Sequence, residues 1–103
     1  MRTIYKYEVT ADGNGECTIA LPRAHRIIEV ASKYGNLFFW AIVDTDREKV
    51  DVRFVVYGTG WPIADTDLMF GLYLGTAHDG VYVWHLFEIQ DLGTTQARAV
   101  LGR

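Results

Sequence analysis

Alternation of apolar and polar positions sets the reading of the first third of the chain. In Thr3–Thr10 (TIYKYEVT), Tyr5, Tyr7 and Val9 fall on one side and Ile4, Lys6 and Glu8 on the other, the period-two signature of a β-strand. Ala11-Asp12-Gly13-Asn14-Gly15 concentrates turn formers. Glu16–Leu21 alternates again, with Cys17, Ile19 and Leu21 against Thr18 and Ala20, until Pro22 ends the ladder. These two segments are expected to pair as a hairpin. Residues 23–34 read two ways. Ala24, Ile27, Ile28, Ala31 and Tyr34 fall at helical spacing with Gly35 as a C-cap, whereas Ile27-Ile28-Glu29-Val30 is a β-branched cluster before a Gly35-Asn36 turn.

Asn36–Asp44 (NLFFWAIVD) is apolar on both faces, so it is expected to be the core strand, covered on both sides. The charged run Thr45–Lys49 and the alternating Val50–Tyr57 predict a second hairpin. Gly58–Ile63 breaks the ladder and opens a loop through Asp67. Leu68–Leu74 is expected to be a short strand, Gly75–Gly80 a turn with Asp79-Gly80 at its tip, and Val81–Gln90 the last long strand. The fold expected is mainly β: one small antiparallel β-sandwich or partly open barrel of six to seven strands over residues 1–90. Residues 91–103 form a tail, read either as a short C-terminal helix capped by Thr94 or Thr95 or as disorder.

At 103 residues, half of them hydrophobic, the chain holds one core and is not globally disordered. Its ten basic residues are scattered and its formal charge is −3, which argues against a phosphate-binding face and so against nucleic acid. Leu37–Val43, the longest apolar run, is far short of the ~20 residues that cross a bilayer, so no membrane role is expected. The single Cys17 makes neither an internal disulfide nor a structural zinc site, and a reducing cytoplasm is the compartment expected. No cofactor is implied.

The blocks Ile4-Tyr5-Lys6-Tyr7-Glu8, Leu37–Asp44 (LFFWAIVD), Gly58-Thr59-Gly60 with Pro62-Ile63, Leu74-Gly75-Thr76 and Val83–Glu88 (VWHLFE) together resemble a family of short uncharacterised proteins encoded by bacteriophages and prophages. The resemblance spans residues 3–89 and implies no activity. It does imply a strand between the proline and the Gly-Asn turn, which favours Arg26–Ser32 as β. Where many relatives have His after Gly-Thr-Gly, this chain has Trp61, so no metal or acid–base role carries over to that loop.

Each candidate for chemistry has a plainer reading beside it. His85, on the strand face of Val83 and Phe87, has the residue type of a general base or ligand, but a satisfied structural histidine is the more frequent case. His78 lies about 23 Å from it along an ideal strand and on the opposite face, so one strand cannot bring the two together. Asp44, Asp46, Glu48 and Asp51 resemble hard-cation ligands, yet Arg47 and Lys49 interleave with them as in a solvated hairpin tip. Gly58-Thr59-Gly60 has the composition of an anion nest without a phosphate-loop motif around it. Cys17 alternates with core positions. No catalytic residue and no metal ligand is assigned, and the chain is not expected to be an enzyme.

Three Trp, six Tyr and five Phe exceed what a core of this size needs, so some are expected at the surface. Trp40, Trp61, Tyr82, Trp84 and His85 are the candidate ligand- or partner-binding residues. The leading expectation is a phage accessory protein acting in the host cytoplasm by protein–protein contact, through a homo-oligomer or a host protein. The alternative is a small-ligand or nucleotide binding module using the Gly58–Ile63 loop and exposed aromatics. A hydrolase built on His85 or the acidic cluster ranks last, and a virion component is neither favoured nor opposed.

Overall fold

In the computed structural model, which describes residues 1–90, the chain runs β1 (Arg2–Val9), β2 (Glu16–Pro22), β3 (Arg26–Lys33), β4 (Asn36–Asp44), β5 (Lys49–Gly58), α1 (Asp65–Phe70), β6 (Gly71–Asp79) and β7 (Tyr82–Ile89). The strands form two antiparallel sheets, β1-β4-β3 and β2-β5-β7-β6. The expected small β-sandwich is what the chain forms, with seven strands among the described residues. Residues 23–34 resolve in favour of strand, and the tail expected as helix or disorder lies outside the described residues.

Two tight turns make the local hairpins. Lys33 pairs with Asn36 across Tyr34-Gly35, which take φ of 53° and 80°. Positive φ at both central residues is the mark of a type I′ turn, whose twist matches that of the strands it joins. Asp79 pairs with Tyr82 across Gly80-Val81, with Gly80 at φ 59°.

The two hairpins expected elsewhere do not form. β1 pairs with β4 and β2 with β5, so Ala11–Gly15 carries the chain from one sheet to the other instead of reversing it in place. The turn chemistry is real but local: the Asp12 carboxylate accepts the Asn14 and Glu16 amides, and the Gly15 carbonyl accepts the Val56 amide of β5. Thr45–Glu48 crosses in the same way, because β4 has both edges occupied by β1 and β3 and offers β5 no ladder position. Leu68–Phe70, expected as strand, is the end of α1, with the Leu68 amide bonded to the Ala64 carbonyl. Asp65 and Asp67 in its first turn suit the positive end of the helix. β6 then extends through Gly75 to Asp79, leaving only Gly80-Val81 as the turn.

The core lies between the sheets. Phe39 of β4, fully buried, packs 5.0 Å from Phe54 of β5 and stacks 5.2 Å from Tyr7 of β1, with Leu21, Val43 and Leu86 buried around them. β4 is buried on the Leu37, Phe39, Ala41 and Val43 face and only half covered on the Phe38, Trp40 and Ile42 face, so the two-sided cover expected for it is partial. Along one side the sheets close up, where an added Cβ on Gly75 of β6 would stand 2.9 Å from Val30 Cγ2 of β3. No helix among the described residues is long and apolar enough to cross a membrane.

Candidate functional site

The strand order gathers one end of β1, β4, β5 and β7 at one pole of the sandwich, together with the 11–15 crossover and both tight turns. A pocket of about 570 Å³ opens there. Its floor is apolar, made by Val9, Leu37 and Val56, all buried core residues. Its wall is aromatic. Trp84, turned towards the interior of β7, packs face to face with Tyr82 at 5.6 Å and 14°, since the two alternate onto one strand face. Trp61 comes from the loop after β5 and sets its indole edge against Trp84, at 5.6 Å and 76°. It gets that close because residue 58 is glycine: a Cβ there would lie 2.8 Å from Trp61 Cε2. Trp61 and Tyr82 remain 52% and 61% exposed, so their rings are available to a ligand.

The lining also includes the acidic residues Glu8, Asp12 and Asp79 and, among the described residues, no Lys, Arg or His. The Glu16 and Asn14 amides hold the Asp12 carboxyl below the usual carboxylate range, so it is charged at neutral pH. No salt bridge engages Glu8, Asp12 or Asp79 among the described residues.

Three of the five residues singled out from the sequence thus meet in one place, and two do not. Trp40 lies on the outward face of the three-stranded sheet beneath Lys6, whose Nζ sits 4.1 Å from the Phe38 centroid and 5.6 Å from that of Trp40. His85 points away from the core on the four-stranded sheet. Its Nε2 lies 2.8 Å from Thr59 Oγ1 and its Nδ1 2.9 Å from Thr76 Oγ1, which continues at 2.5 Å to the Tyr73 hydroxyl. No carboxylate bonds to His85 among the described residues, so this chain of hydroxyls is not a nucleophile–base–acid array. Both ring nitrogens are satisfied, by threonine hydroxyls in place of the backbone carbonyl that a structural histidine commonly uses.

The other candidates fall to structural roles. Asp44 and Asp46 bind the Met1 ammonium at 3.2 and 2.6 Å, and Glu48 pairs with Arg23 at 3.3 Å. Cys17 packs against the core. His78 is exposed on β6.

Sequence reasoning overlooked His25 and the acidic rim. Glu8 reads as the polar half of a strand alternation, and Asp12 and Asp79 as turn formers. Only the packing of three connections at one pole shows that these residues line one opening.

A family model matches residues 1–96. This chain belongs to DUF7352, a domain of unknown function. The match covers every strand of this DUF7352 domain and carries no indication of a phage origin. No curated protein and no solved structure matches the chain.

Proposed function

We propose that this chain is a non-catalytic binding module whose site is the pocket at the pole of the sandwich. The observation that carries this reading is the convergence of Trp61, Tyr82 and Trp84, from two separate segments, around an opening of about 570 Å³. That volume falls in the range of small-molecule sites, and an apolar floor with a few convergent polar groups is their usual composition. Two large aromatic surfaces held half-exposed cost the free protein hydration that a ligand recovers by covering them. Phosphate-bearing ligands suit the site poorly, because Asp12 and Asp79 line it and, among the described residues, no Lys, Arg or His does.

The test is thermal denaturation of wild type and Trp61→Ala against small molecules spanning cationic, neutral and anionic classes. A ligand at 100 times its Kd stabilises by about 2.7 kcal/mol, which shifts the melting temperature well beyond error in a domain of this size. The expected result is stabilisation of wild type by at least one class and its loss in Trp61→Ala. Equal response of the two proteins, or none, contradicts the reading.

A second reading, protein–protein contact, draws on the outward face of the three-stranded sheet. There Ile4 and Ile28 are 54% and 44% exposed beside the half-covered Trp40 and Ile42. Self-association or capture of a host protein through that face fits the resemblance to phage-encoded proteins, and with it a host-cytoplasmic setting. Light scattering over a dilution series tests it, with Ile4→Lys as the variant expected to dissociate an oligomer.

A further inference from the structure

We propose that the pocket at the pole selects an organic cation, an alkylammonium or guanidinium group held over the exposed rings of Trp61 and Tyr82, with Asp12 and Asp79 in the lining. This deepens the binding-module reading and rests on it. Aromatic faces carry the negative lobe of a ring quadrupole and attract a cation within about 6 Å of the centroid. Carboxylates around a cleft with apolar walls focus a negative potential into it. Each feature alone is common on protein surfaces. Here they share one opening, whose lining among the described residues contains no basic side chain.

The rest of the molecule supplies an internal comparison. Three other aromatics have a cation of the chain's own: Lys6 Nζ lies over the half-covered Phe38 and Trp40 on the outward sheet face, and Lys33 Nζ lies 5.4 Å from the Tyr34 centroid in the β3–β4 turn. Among the described residues, no Lys or Arg is seated over Trp61, Tyr82 or Trp84. The exposed pocket rings thus lack the internal cation that Phe38, Trp40 and Tyr34 have. An anion gains nothing from these rings and is repelled by the carboxylates. A neutral ligand uses the rings and leaves the charges idle.

The experiment is titration of the full chain with choline, spermidine and Nα-acetyl-argininamide, followed by tryptophan fluorescence and calorimetry. The neutral choline isostere 3,3-dimethylbutan-1-ol serves as the control. The expected result is saturable binding of at least one cation, with choline bound roughly tenfold or more tightly than its isostere if choline is among them, since the pair differ in charge but not shape. Asp12→Asn/Asp79→Asn, which removes both charges while the amide oxygen at position 12 still accepts the Asn14 and Glu16 amides, should weaken the cation severalfold and leave the isostere unchanged. Whether choline or the argininamide binds more tightly tells a free ammonium from a basic side chain of a peptide, and either order supports the proposal. Equal affinity for choline and its isostere, an unaffected double variant, or no binding by any of the three cations overturns it. Adenosine monophosphate binding that is abolished in Trp61→Ala would overturn the cation while leaving the pocket as the site.

Discussion

His25 Nε2 and Glu88 Oε1 lie 2.9 Å apart, with side chains only 11% and 14% exposed, and tie the crossover from β2 to β3 to β7 of the four-stranded sheet. The second ring nitrogen, Nδ1, faces the Pro22 carbonyl at 3.1 Å. The Pro22 carbonyl and the ionised Glu88 carboxylate are both acceptors, so the imidazolium, which donates from both nitrogens, is the form that satisfies both. The Glu88 hydrogen bond raises the His25 pKa above its ordinary 6.5, against the opposing effect of burial.

The pH dependence follows from that direction. A folded-state pKa above the unfolded value gives stability that is fully present below pH 6.5 and is lost as pH rises through the folded pKa. Wild-type stability should therefore decline over the interval above pH 6.5, and His25→Gln should flatten that segment of the profile. Urea denaturation at a series of pH values checks it, and an identical slope in both proteins contradicts the assignment.

Tyr34 occupies a left-handed conformation, φ 53°, while 90% exposed. That backbone costs an ordinary L-residue about 1–2 kcal/mol, and Asn at the first position of a type I′ turn is favoured. Tyr34→Asn gives up the Lys33 contact to the ring, worth about 0.5 kcal/mol at an exposed site. A net gain of about 0.5–1 kcal/mol is expected, read as a melting temperature a few degrees higher by calorimetry.

Adjacent residues of β4 should respond unequally. Phe39 is fully buried between Tyr7 and Phe54, and Phe39→Ala should cost about 3–5 kcal/mol, enough to abolish most of the stability of a small domain. Trp40→Ala, on the half-covered face, should cost distinctly less despite removing the larger side chain. Chemical denaturation of both variants checks the order, and the reverse order would mean that the outward face is the better covered.

The closure of the sheets on the β3–β6 side depends on Gly75. An added methyl meets Val30 Cγ2 at 2.9 Å and Cβ at 3.0 Å, and Val30 is buried and short. Gly75→Ala should destabilise by about 1–3 kcal/mol, and adding Val30→Ala should recover part of that loss in a double-mutant cycle. Strict additivity of the two changes would place the residues out of contact.

Which parts of this were legible in the sequence follows from the range of the interactions. Strand positions rest on alternation over a few residues, and the I′ turn and the Asp79-Gly80 tip rest on glycines next to the strands they join, so these were readable. Pairing was not. The turn formers at 11–15 bend the chain as their composition implies, but whether a bend reverses the chain within a sheet or carries it to the facing sheet is decided by β4 and β5, 20 and more residues away. Leu68 and Met69 read as strand residues on apolar character alone, yet they are 60% and 65% exposed on a six-residue helix. Aromatic surplus pointed correctly to exposed Trp and Tyr. It gave no means of separating Trp61, Tyr82 and Trp84, which meet at one pole, from Trp40, which faces the other way.

The pocket reading is tested most directly by the three tryptophan indole N–H resonances of the ¹⁵N-labelled protein, followed during separate titrations with choline, 3,3-dimethylbutan-1-ol and adenosine monophosphate. The account predicts that at least one compound moves the Trp61 and Trp84 signals together in a saturable way while the Trp40 signal stays in place. Shifts centred on Trp40, or no movement of Trp61 and Trp84 with any of the three, would contradict it.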